Sequence, residues 1–180
     1  MNAKITANSF EEEFFNRLKT VDVWKRLSGS HEFPITLEIL EKYQDNWDWE
    51  EISGNNNIYW TAEMIEKFKT KIKWRSFSLT YARADQFNFE ILRKFQHYFD
   101  WVEVSRGICF VSEETLEEFA SKWDWKELID NRYINWDYIL FNKFKHYINV
   151  MEIADFKRTV LWDNLIEIDE RILIGKILSN

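Results

Sequence analysis

Two stretches decide the fold: WDWEEIS at 47–53 and WDWKELI at 123–129. Aligned on the second tryptophan of each, they bring the rest of the chain into register. Anchors fall at Trp24, Trp49, Trp74, Trp101, Trp125 and then Val150, with spacings of 25, 25, 27, 24 and 25 residues. A recurrence at this period is the signature of a repeat architecture, in which no unit can bury its apolar face alone and neighbours must stack. An apolar residue follows three positions after each anchor (Leu27, Ile52, Phe77, Val104, Leu128, Ile153), and about eleven after it comes Ile35, Trp60, Phe87, Val111, Trp136 or Trp162.

The next residues are Thr36, Thr61, Asn88, Ser112, Asp137 and Asp163. All are types whose short side-chain oxygen satisfies the free amides of a first helical turn. Counted from that cap, apolar residues recur at helical period, as in Ile39, Leu40, Tyr43 and Trp47 or Ile91, Leu92, Phe95 and Phe99. A second start lies just before the anchor, where Asp48 and Glu51, Asp100 and Glu103, Asp124 and Glu127, and Asn149 and Glu152 have the spacing of a reciprocal capping box. The pattern predicts an all-α solenoid of undetermined hand with about six units, each one long helix plus one short helix. It forms a single repeat domain over residues 1–180, with a helix over 163–178 capping its end. At helix separations of roughly 8–10 Å, six units would extend on the order of 50 Å.

Composition agrees. Four Gly and one Pro, Pro34, give little of the punctuation that many-stranded sheets need. All ten Trp fall in register, so a core of stacked aromatics, rather than a ligand cage, accounts for them. The motif W-D-W-x-x-[LI]-S, an Asn-containing loop, I-x-W-[TSND] and an IEKF-like helix resemble Trp-rich short helical repeats found in many proteins without an assigned activity. The resemblance covers nearly the whole chain, implies architecture, and carries over no activity and no site.

The chain's start lacks a basic segment followed by an apolar core, and no apolar run is of membrane-spanning length, which predicts a cytoplasmic protein without a membrane partner. The lone Cys109 has no disulfide partner and occupies a core position of the register, held elsewhere by Phe33, Ile58, Ile134 and Val160. His97 and His146 fall two units apart and are expected on the helix surface, too distant to share a metal. Glu38, Glu63 and Glu90 read as i to i+4 partners of Lys42, Lys67 and Lys94. No phosphate loop, catalytic triad order or metalloprotease spacing is found. The expectation is a non-enzyme without cofactor or metal.

What breaks the register is informative. From Lys67 to Ala84 the spacing expands to 27, Lys73 replaces the capping Asp, and the segment carries +6 with no acid, leaving −13 for the remainder against −7 for the whole. Such asymmetry orients a partner. Lys67, Lys69, Lys71, Lys73, Arg75, Tyr81 and Arg83 are therefore the candidate contact residues for another protein. The expected function is non-catalytic protein–protein interaction. An inhibitor or immunity-type protein that blocks one target is the alternative, and nucleic-acid contact through 67–83 the second. After Asp163, the apolar residues Leu165, Ile166, Ile168, Ile172, Leu173, Ile174, Ile177 and Leu178 cover more than one helix face. That helix is expected to fold over the open end of the stack; burial in a partner, such as a homodimer with a second copy, is the alternative.

Overall fold

The computed structural model describes the backbone of residues 21–178 and the side chains of 23–172. Among the described residues there are only helices and turns, with no strand. In chain order the helices are α1 (Val21–Ser28), α2 (Leu37–Lys42), α3 (Trp49–Gly54), α4 (Ala62–Phe68), α5 (Trp74–Arg83), α6 (Phe89–Phe95), α7 (Trp101–Gly107), α8 (Glu113–Glu118), α9 (Trp125–Ile129), α10 (Tyr138–Phe144) and α11 (Val160–Leu178). Short 3₁₀ turns lie at Lys145–Tyr147 and Phe156–Arg158. The described chain groups into two compact units that part between residues 94 and 95.

The predicted long helix of each repeat is in fact short. The helices that follow the caps at Thr36, Thr61, Asn88, Ser112 and Asp137 have six or seven residues. Apolar residues continue at helical period beyond them, but the anchor tryptophan intervenes. The indole N–H of Trp49 donates to the Gln44 carbonyl at 2.9 Å, Trp74 to Lys69 at 2.8 Å, Trp101 to Gln96 at 3.0 Å and Trp125 to Ala120 at 2.9 Å. In each case the carbonyl lies five residues before the anchor, in the turn where the helix would have continued. Where a helix gives way to a turn its carbonyls lose intrahelical partners, and the indole satisfies one carbonyl of that turn. Anchor rings also pack on the aromatic seven residues past a cap. Trp24 lies 5.4 Å from Tyr43, Trp49 5.1 Å from Phe68, Trp101 5.2 Å from Phe119 and Trp125 5.2 Å from Phe144, between ring centroids.

The caps form in five of six repeats. Thr36 accepts from the Ile39 N–H, Thr61 from Met64, Asn88 from Glu90, Ser112 from Thr115 and Asp137 from Leu140. In the sixth, Thr159 accepts from the Trp162 N–H at 3.3 Å, so α11 begins at Val160 and Asp163 sits inside its first turns.

The predicted capping boxes form on one side only. Asp48 accepts from the Glu50 and Glu51 amides, and Asp124 from the Glu127 amide. The return bond to the aspartate's own N–H is replaced by a bond from the preceding repeat: Asp48 N–H donates to Ser28 Oγ and Asp124 N–H to Ser105 Oγ, both at 3.0 Å. Lys73 N–H donates to Ser53 Oγ at 2.9 Å in the same way. These serines stand four residues past their anchors and are fully buried. Two of these hydroxyls also donate to an anchor carbonyl, Ser28 to Trp24 at 2.8 Å and Ser53 to Trp49 at 2.6 Å.

Freed from the box, the glutamate two past the anchor reaches back too. Glu51 meets Lys25 at 3.6 Å, and Glu127 takes two bonds of 3.0 Å from Arg106, which also holds the buried Glu103 at 2.8 Å. These carboxylates raise the Arg106 pKa still further. The sixth anchor, Val150, heads no α-helix: residues 150–152 and 154–155 form turns, and Val150 and Met151 are exposed. In the preceding repeat Ile129 stands where the others carry the accepting serine, so the lock has no hydroxyl there.

Candidate interaction surface

The seven residues marked by the sequence do not form one surface. Lys67, at the end of α4, pairs with Glu41, Lys69 with Glu66, and Lys71 with Asp45 at 2.8 Å. Lys71 Nζ also donates to the Gln44 carbonyl and lies 5.9 Å from the centre of the Trp49 ring. The Lys69 bond holds the Glu66 carboxyl below the usual carboxylate range. This arrangement recurs, since Lys94 meets Glu66 at 3.9 Å and Lys143 meets Glu117 at 2.5 Å. A lysine six past one cap thus faces a glutamate five past the cap before it. The recorded partner of Lys67 is Glu41 of the previous repeat, in place of the i to i+4 pairing with Glu63 that its spacing suggests.

Lys73 takes the cap position of α5 with no side-chain cap bond, and it and Arg75 are exposed. Tyr81 corrects the expectation: it is 1% exposed. Its ring lies between Phe77, stacked at 5.2 Å, and Phe87 at 5.5 Å. Burial pushes its phenol up to about 12. Four residues after Phe77, it shares the inward face of α5, so it belongs to the core. Arg83 is exposed in the last turn, and the ten residues of α5 put it about 15 Å along the axis from Lys73.

Arg83 lines a cleft of about 650 Å³ within the compact unit that ends at residue 94. The other walls come from two loops, with His31 in one and Asn57 and Tyr59 in the next; Thr80 and Asp85 complete them from α5 and its exit. The loops are sewn together by hydrogen bonds, buried at Asn55 and more open toward Asn57. Asn55 Nδ2 donates to the Ser28 carbonyl at 2.8 Å and to Ser30 at 3.1 Å, while its Oδ1 accepts from the Asn57 N–H at 2.9 Å. The Asn57 side-chain amide donates to the His31 carbonyl, and Gln86 Nε2 to the Ile58 carbonyl at 2.7 Å. The walls are therefore fixed, while His31, Tyr59, Arg83 and Asp85 remain exposed. The repeat with the expanded spacing supplies one wall, because α5 has ten residues where the anchor helices α3, α7 and α9 have five to seven. Sequence spacing marked this repeat, but His31 and Tyr59 lie in loops whose convergence no periodicity reveals.

Among the other candidates, His97 and His146 are exposed, and Cys109 is half-buried with its thiol on the Gly107 carbonyl at 3.3 Å. Among the described residues no group of three or more His, Cys, Asp or Glu is placed to hold a metal ion, and no helix is long and apolar enough to cross a membrane. The chain matches no family model, no curated protein sequence and no solved structure.

Proposed function

We propose that this chain is a non-catalytic protein-binding module whose contact zone is the cleft carrying His31, Tyr59 and Arg83. The observation that carries this reading is the combination of walls fixed by hydrogen bonds between repeats with an exposed ring and guanidinium at their edge. Pre-organised walls lower the ordering cost of association, and Tyr and Arg are the residue types that most often anchor an interface. The contact zone is narrower than the whole basic segment. Lys67, Lys69 and Lys71 already face carboxylates, which also takes support from a nucleic-acid contact through 67–83.

The test is affinity capture from the native host with quantitative mass spectrometry, comparing the unaltered chain, a Tyr59→Ala/Arg83→Glu variant and a Lys67→Glu control. The reading expects a protein retained stoichiometrically by the unaltered chain and by the control, and lost from the cleft variant. Retention by all three would overturn the choice of contact zone. A single enzyme whose activity falls on binding would make the module an inhibitor.

A further inference from the structure

Arg83 and Asp85 both line the cleft and both are exposed. Between them Ala84, at φ −76° and ψ 143°, takes the chain out of α5. Two residues of chain span at most about 7 Å. The two side chains nonetheless do not pair, and neither has a hydrogen-bond or ion-pair partner elsewhere among the described residues. By contrast, Lys67, Lys69 and Lys71 each face a carboxylate. The cleft therefore presents a free charge of each sign. The Tyr59 ring, 72% exposed, stands beside the acid. The bond from Gln86 Nε2 to the Ile58 carbonyl, at 2.7 Å, ties the residue after Asp85 to the residue before Tyr59. Carboxylate and ring are thus neighbours, while the guanidinium sits in the last turn of α5.

We infer that the cleft takes a segment of a partner protein that carries an acidic and a basic side chain close together. The acid meets Arg83, and the base meets Asp85 and the face of Tyr59. This partner chemistry rests on the cleft being the protein's contact zone. A guanidinium receives a carboxylate through two parallel hydrogen bonds, and a cation over a tyrosine face is attracted by the ring as well as by the neighbouring carboxylate. Charges held in place across an interface fix its register and repel partners that bring the wrong sign. Here both signs are needed. A run of acids or a phosphate backbone would set negative charge against Asp85, and a purely basic segment would set positive charge against Arg83. Only a segment with both leaves neither charge of the cleft opposed.

Selection from a random peptide library displayed on phage, with the immobilised full chain as bait, tests the inference. Selected peptides are expected to carry an acid and a base within a few residues of each other. Arg83→Glu and Asp85→Lys should each weaken the binding of a selected peptide by about tenfold or more, the effect of one close charge pair. The far-ultraviolet circular dichroism spectrum should not change, because both side chains are exposed. Arg83→Asp combined with Asp85→Arg should favour peptides with the two charges exchanged. A selection without binders, binders of a single sign, or binders indifferent to Asp85→Lys would overturn the inference. A host protein still held by the Tyr59→Ala/Arg83→Glu variant removes the contact zone itself. One that is lost there but held unchanged by Asp85→Lys leaves the contact zone standing and removes its two-sign chemistry.

Discussion

The backbone N–H of Asp48 donates to the buried hydroxyl of Ser28 at 3.0 Å, and that hydroxyl donates in turn to the Trp24 carbonyl at 2.8 Å. One serine thus joins the first turn of α3 to the body of α1. The same relation links Lys73 to Ser53 and Asp124 to Ser105. Because the aspartate's N–H is satisfied across the repeat boundary, the glutamate two past the anchor is released to pair with a base of the preceding repeat. Capping, packing and electrostatics between repeats follow from this one substitution of partners.

Lys73 is the flaw in the series. Its backbone, φ −86° and ψ 89°, is close to that of the capping Asp48 at −76° and 103° and of Asp124 at −80° and 98°, yet its side chain caps nothing. Lys73→Asp therefore needs no rearrangement and should stabilise the protein by about 1 kcal/mol, read as a higher urea midpoint at unchanged slope. A lower midpoint would show that the lysine is held by contacts outweighing the missing cap.

Asn131 plays in the second compact unit the part that Asn55 plays in the first. Its Nδ2 donates to the Ser105 and Ile108 carbonyls, both at 2.9 Å, and its Oδ1 accepts from the Tyr133 N–H at 2.9 Å. Asn131→Ala leaves buried backbone groups unpaired and should cost about 1–3 kcal/mol. The exposed Asn149→Ala is expected to cost less than about 0.5 kcal/mol. Chemical denaturation of the two variants side by side checks the contrast.

Tyr81 gives a pH signature. Burial raises its phenol from the ordinary value near 10 to about 12, so the folded chain holds this proton more tightly than the unfolded one. The stability it contributes is intact below pH 10 and is lost as pH rises through about 12. Tyr81→Phe should therefore lose less stability than the unaltered chain between these values. Parallel alkaline losses measured by denaturation at fixed pH would contradict a buried neutral phenol.

The all-helical class, five of the six caps and the inward place of the tryptophans were legible because each is a local pattern. Six tryptophans are buried and the other four half-buried. Helix length was not legible: Trp49 and Trp125 hold the turns that follow the helices by bonding carbonyls five residues back, a bond that forms only once the chain turns. Ser28, Ser53 and Ser105 recur in the sequence as well, yet a one-dimensional register does not show that their hydroxyls face the next repeat. The same limit made Lys67 look like a partner of Glu63 when its recorded partner is Glu41. In the candidate site, the expanded spacing pointed to α5 and to Arg83. Tyr81 was separable from them by its phase with Phe77, whereas His31 and Tyr59 needed the folded loops.

The central claim is that buried serines lock one repeat to the next, and Ser53→Ala tests it most directly. Equilibrium unfolding should show a loss of about 1–3 kcal/mol, because the Lys73 N–H is left without its acceptor. A change within about 0.5 kcal/mol, the range of an ordinary surface substitution, would contradict it.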